Sequence, residues 1–439
     1  MRKVLTLCLT LTLLLGLIPA IAEDPVEITF WHSMGGVNGE AIVKMVEDFN
    51  TANEGKIKVN VEYQGTYDDA INKVKAAGMS AMPADVMQIY DIGTRFMIDS
   101  GWIIPMQDMI DKDNYDISQI EPNIAAYYTV GDKLYSMPFN SSTPLLYYNK
   151  DAFKEAGLDP EMPPKNFDEI IEMSAKLEKK SADGQVERYG FGMGNYGWFF
   201  EQWIGKMAMH YVDNNNGRGE EPATKVVFDE NGGAEEIFKV WKKLYDDGII
   251  PYLNRGNTEA KQAFITGKIA ITLESTAALK SLLTNVGDSF EIGTGYFPNI
   301  HPDDKGGVSI GGGSLWMLNT GDEKRQDAAW EFVKFMIAPD QQAFWNAKTG
   351  YFPITVATHE LDYFKENLAQ FPQFGTAIDQ LHDTAPEYAG SLLSVFPEAR
   401  ALVETYTERV IHGELSIEDA VKKLAEEIDS AIEIYNLTN

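Results

Sequence analysis

Four small polar residues, Asn140, Ser141, Ser142 and Thr143, stand between Pro138 and Pro144 in the run PFNSSTP. Proline disfavours helix at the residue before it, so both ends of the run are held extended and the four side chains form a polar knuckle. Its chemistry is hydrogen bonding to a small polar ligand. Similar chemistry recurs at loops that follow strand-like segments: Trp31 to Ser33, Tyr67 and Asp91. Each has a plainer reading, since Trp31 and Tyr67 also suit packing and Asp91 also suits a helix cap. A glycine-spaced aromatic cluster, GFGMGNYGWFFEQW from Gly190 to Trp203, offers Tyr196 and Trp198 as a flat wall for the carbon face of a polar molecule. Phe199, Phe200 and Trp203 read as core.

Signatures of catalysis and nucleotide binding are weak. The one G-x-G-x-x-G string, Gly192 to Gly197, lies inside the aromatic cluster, and no GK[ST] loop occurs. The six histidines show no H-E-x-x-H spacing, and the one G-x-S-x-G string, Gly307 to Gly311, falls at the segment Val308 to Leu318 that reads as a strand rather than at a strand-to-helix turn. His32 sits in a candidate loop but suits a structural hydrogen bond. Carboxylate pairs arise freely among 66 acidic residues, so they carry little weight for a secreted hydrolase. No cofactor or metal is expected.

The elements that must hold these residues are legible from periodicity. Val26, Ile28 and Phe30 alternate as a strand, Ile42, Met45, Val46 and Phe49 fall on one helical face, and Ile57, Val59, Val61 and Tyr63 alternate again. A helix with Ile71 and Val74 precedes a third strand, Val86 to Tyr90. Strand, helix, strand, helix, strand implies an open parallel α/β sheet, whose ligands sit beyond the carboxyl ends of the strands. Leu145 to Tyr148 is an apolar run of buried-strand length, so the chain from Ser136 reads as one long crossing strand. Gly267 to Leu273 reads as a return crossing, ahead of Ser275. Ile292 to Phe297 and Val308 to Leu318 read as strands of the first lobe, with Gly311, Gly312 and Gly313 bringing bare backbone close to something. Tyr351 lies on a turn, Arg400 opens a late helix, and Asp213 to Gly219 reads as an exposed loop without function.

At 439 residues the chain exceeds one comfortable core, and 44% hydrophobic content fills two. Residues 1–22 read as a signal peptide: Arg2 and Lys3 precede an apolar run that ends at Ala20-Ile21-Ala22. Cys8 follows Leu7, which does not suit a lipid-anchor site, and the mature chain has no cysteine for a disulfide or a Cys-based metal site. Cleavage takes the net charge from −29 to −31, which argues against nucleic acid and anionic membrane.

FWHSM (Phe30 to Met34), PFNSSTP, YYNKDAF (Tyr147 to Phe153), AGLDP (Ala156 to Pro160), IGGGSLW (Ile310 to Trp316) and KTGYFPIT (Lys348 to Thr355) occur in an order that resembles the extracellular solute-binding proteins of carbohydrate-type ABC importers, family 1, and within it the members that take glycerol-3-phosphate. The resemblance spans nearly the whole mature chain. It implies the two-lobe periplasmic-binding-protein (type II) α/β fold with a hinge: residues 23–138 with about 277–320 as the N-terminal lobe, and 139–276 with about 321–439 as the C-terminal lobe. It implies a secreted, periplasmic monomer, not an enzyme, that delivers glycerol-3-phosphate or a glycerophosphodiester to ABC permease transmembrane subunits. Tyr67 and Asp91 are then expected at the glycerol hydroxyls. Ser141 or Ser142, Ser275 and the backbone of Gly311 to Gly313 surround the ligand, Tyr196 and Trp198 form the wall, and Tyr351 and Arg400 meet the phosphate. Asp91 stands where the family has Glu and Tyr196 where it has Trp, which alters the glycerol end. The alternative is a neutral sugar or oligosaccharide receptor in which Arg400 pairs with an acid.

Overall fold

A computed structural model describes residues 24–77 and 82–438. The expected signal segment and Cys8 lie outside the described residues.

The main strands are β1 (Val26–His32), β2 (Ile57–Tyr63), β3 (Val86–Tyr90), β4 (Met137–Ser142), β5 (Pro144–Asn149), β6 (Val186–Gly192), β7 (Ile269–Ser275), β8 (Ile292–Tyr296) and β9 (Gly311–Leu318). One sheet runs β2-β1-β3-β9, with β4 also on β9 and the short strand Ile103–Ile104 at its edge. The other runs β8-β5-β7-β6 and ends at Lys179–Lys180. Pairing is parallel between β1 and both β2 and β3, as alternating strands and helices require, and antiparallel where β9 joins. In β1 the alternation buries Ile28, Phe30 and His32 on one face, while β3, β4 and β5 are buried throughout because helices cover both faces. Helix Gly36–Ala52 buries Ile42, Met45, Val46 and Phe49, as its spacing predicts.

The crossing strand is real, and it is tight. β4 pairs in the first sheet and β5 in the second, with Thr143 alone between them. The Thr143 amide donates to Thr276 Oγ1 at 3.2 Å, and the Thr276 amide returns a bond to the Thr143 carbonyl at 2.9 Å. Gln380 Nε2 then donates to Thr143 Oγ1 and to the Pro144 carbonyl. The polar knuckle is therefore clamped at the point where the sheets meet.

Three expectations differ from the structure. Ile292–Tyr296 pairs with β5 in the second sheet rather than joining the first, because Gly293 and Gly295 let its backbone lie directly on Tyr148 and Pro163. Helix Glu323–Met336, expected in the C-terminal lobe, packs on the first sheet, with Phe332 5.2 Å from both Phe30 and Phe49. β7 is not a crossing: it stays in the second sheet, between β5 and β6.

His32 is buried beside the rings of Phe30 and Tyr63, and its Nδ1 accepts the Met34 amide at 3.4 Å. Burial pushes its pKa down to about 4. The unfolded chain, with histidine near 6.5, therefore binds more protons between pH 4 and 6.5, so this contribution to stability is complete above pH 6.5 and is lost as pH falls. Denaturant titrations at pH 7 and pH 5 are expected to show that His32→Phe removes roughly 2 kcal/mol of the wild-type pH dependence.

Candidate functional site

Beyond the carboxyl ends of β1 and β3, a hydrogen-bonded chain runs through the first lobe. Gln88 Nε2 donates to Asn140 Oδ1 at 2.8 Å, and Asn140 Nδ2 donates to Tyr67 Oη at 2.9 Å. Tyr67 stacks on Tyr90 at 5.1 Å, and Tyr90 donates to Asp68 at 2.6 Å. Tyr351 is buried and stacked on Trp345 at 5.5 Å, with Oη 3.9 Å from Met34 Sδ. Its turn is tied to the knuckle, since the Phe352 amide donates to the Ser141 carbonyl at 2.9 Å. Asn140 to Thr143 are buried rather than exposed, because β9 pairs along Asn140 to Ser142 and Thr276 and Gln380 clamp Thr143. Ser141 Oγ has no hydrogen-bond partner among the described residues, a buried donor left free for a ligand.

Gly311 to Gly313 pair with Ser142, Ser141 and Asn140, so the glycine backbone lies along the knuckle. A Cβ on Gly311 would sit 2.6 Å from Trp198 Cζ2, so the indole lies flat against that backbone. Tyr196 is 6.0 Å from Trp198 at the start of helix Gly197–Lys206. Ser275 pairs with Pro144, but its Oγ caps the following turn by accepting the Ala277 amide.

Arg400 meets both lobes. Its Nη2 lies 3.4 Å from Asp91 Oδ2, at the end of β3. Its Nε and Nη2 also fork onto Glu201 at 2.7 and 2.8 Å, a bidentate pair within the second lobe. All three side chains are almost fully enclosed, at 13% exposure for Arg400, 8% for Asp91 and 7% for Glu201. Burial raises both carboxyl groups, Glu201 to about 7, by more than the adjoining guanidinium lowers them. Arg400 stays charged: burial opposes its charge, but Glu201 and Asp91 hold its pKa well up. The fork uses Nε and one Nη2 hydrogen, and Nη1 donates to no carboxylate among the described residues.

The sequence reading missed two side chains. Glu201 was visible as one acid in WFFEQWIG, an otherwise apolar helical face, which is the signal of a buried charge with a partner. Arg218 follows Asn214 to Asn216, whose φ of 49° to 60° makes a left-handed turn. That turn sends the Arg218 guanidinium to the Tyr127, Ala126 and Gly390 carbonyls at 3.0, 3.3 and 2.6 Å. It thereby meets the carbonyl end of helix Pro122–Tyr128 in the first lobe, without a carboxylate among the described residues. Burial lowers its pKa to about 10. The segment expected to be a functionless loop is a contact between lobes.

A cavity of about 290 Å³ opens beside Glu201, between Tyr127, Tyr211, Ser309 and Phe396. A larger one of about 680 Å³ lies away from these residues, over Tyr148, Gly293 and Asp379. Among the described residues no acidic and histidine cluster suits a metal ion, and no helix is long and apolar enough to cross a membrane.

Residues 44–372 match the family model described as bacterial extracellular solute-binding protein. The chain belongs to that family. The sn-glycerol-3-phosphate-binding periplasmic protein UgpB of Salmonella typhimurium is 33% identical over 409 residues, covering 90% of each chain. UgpB of Escherichia coli K12 is 31% identical over 426 residues, covering 94% of this chain and 93% of that protein. Among solved structures, UgpB from Mycobacterium tuberculosis in complex with glycerophosphocholine superposes with a TM-score of 0.78 at 21% identity, covering 94% of this chain and 99% of that one. The cyclic alpha-maltosyl-1,6-maltose binding protein from Arthrobacter globiformis gives 0.75 at 22%, covering 93% and 99%. These likenesses establish the two-lobe solute-binding fold, and the six sequence motifs led to the same family.

Proposed function

We propose that this solute-binding protein is the exported receptor of an ABC importer, that it encloses glycerol-3-phosphate or a glycerophosphodiester between its lobes, and that it hands the ligand to permease subunits. The observation that carries this reading is Arg400, enclosed at the lobe junction with Nη1 donating to no carboxylate among the described residues, in a chain a third identical to sn-glycerol-3-phosphate-binding proteins. Its planar fork suits phosphate oxygens, and Ser141 Oγ in the knuckle, buried without a partner among the described residues, is a further donor. Tyr67 and Asp91 then meet glycerol hydroxyls, with Tyr196 and Trp198 against its carbons. Charge-assisted hydrogen bonds contribute roughly 1.5 to 3 kcal/mol each, so three or four reach the about −8 kcal/mol of a micromolar complex. A ligand that touches both lobes stabilises the closed form by its differential affinity, which gives a permease a loaded shape to read.

The pairing of Arg400 with Glu201 also favours a second reading, a receptor for neutral sugars. The two separate in a thermal-shift and calorimetric titration. Glycerol-3-phosphate or glycerophosphocholine is expected to raise the melting temperature and release heat, while maltose does neither. Stabilisation by maltose alone would establish the sugar receptor instead.

A further inference from the structure

We propose that Glu201 makes the site selective for phosphodiesters over phosphomonoesters, an inference that rests on the phosphate reading above. Glu201 and Asp91 place two carboxylates on one guanidinium, all three enclosed. Glu404 adds a third acid nearby: its Oε1 accepts the Gly197 amide at 3.0 Å, one residue into the helix that carries Glu201. The acids there outnumber the one guanidinium before any ligand enters. A phosphomonoester brings about −1.5 to −2 charges at neutral pH, whereas a diester brings one. In an enclosed site each additional like charge is strongly disfavoured, since little water is there to screen it.

Space points the same way. A diester carries a second substituent on phosphorus, and the cavity of about 290 Å³ that Glu201 lines offers space for it. Tyr211 lines it. A monoester would end at Arg400 and leave this space unused.

The test is calorimetric titration of the mature protein with sn-glycerol-3-phosphate and with sn-glycero-3-phosphocholine at pH 8, in wild type and Glu201→Gln. Wild type is expected to hold the diester at least about tenfold more tightly. The substitution should cut that ratio by about tenfold, because the monoester gains more than the diester when an acid leaves the cluster. Equal affinities in wild type, or a ratio unchanged in Glu201→Gln, would overturn the inference while leaving the phosphate reading in place. Heat from neither ligand would overturn both. Should the variant fail to fold, the wild-type ratio at pH 5.5 decides, because the monoester sheds its second charge near pH 6. A ratio that narrows there supports the inference, and a constant one overturns it.

Discussion

Arg400→Ala is expected to weaken binding of glycerol phosphates at least about 100-fold and to cost roughly 3 to 5 kcal/mol of stability. The two losses have different causes. Affinity falls because the cation goes, and with it the charge-assisted bonds to phosphate. Stability falls because Glu201 and Asp91 remain buried without their counter-ion. Replacing both members of the fork separates them: Arg400→Leu with Glu201→Leu should recover the part of the stability that Glu201 costs, since a well-packed apolar pair often equals a buried ion pair, while Asp91 stays without its counter-ion and nothing binds. Denaturant midpoints and calorimetry on the single and double variants check this. A single variant with unchanged affinity would remove the guanidinium from the ligand's surroundings.

Gly312→Ala should damage the fold at its joint. Gly312 has φ of +92°, and a Cβ there would fall 1.9 Å from the Asn140 carbonyl oxygen. An alanine both enters the left-handed region and strikes backbone, which cannot yield without parting β9 from β4. The expected loss is about 3 kcal/mol or more, with ligand binding lost alongside because the knuckle shifts. Gly321→Ala is the control: φ is +74°, but no atom lies within 4 Å of the new Cβ, so only about 1 kcal/mol is at stake. Equal midpoints for the two variants would show that close approach at Gly312 is unimportant.

Much of this was legible in the residues. Alternation and helical spacing are local properties, so β1, β2, β3 and the helices between them followed from the chain alone. The crossing strand was marked by prolines and by the apolar run Leu145 to Tyr148. Sheet membership of Ile292–Tyr296 was not legible, because an alternating strand does not state its partner, and the glycines that seat it on Tyr148 matter only once Tyr148 is in place. The candidate site was half visible. Tyr67, Asp91, the serines, the glycines, Trp198, Tyr351 and Arg400 converge at the lobe junction, but Ser275 spends its hydroxyl on a cap. Glu201 escaped notice because its importance lies in its distance to Arg400, a residue 199 positions away.

The carbonyl cradle around Arg218 bears on how the receptor opens. Carbonyl dipoles, not a carboxylate, hold this guanidinium, so swinging the halves apart exchanges the Ala126, Tyr127 and Thr129 carbonyls for water without breaking an ion pair there. Dissolved ions screen charge pairs far more than such dipole contacts, so the ease with which the empty receptor gapes through this contact should change little from dilute buffer to brine.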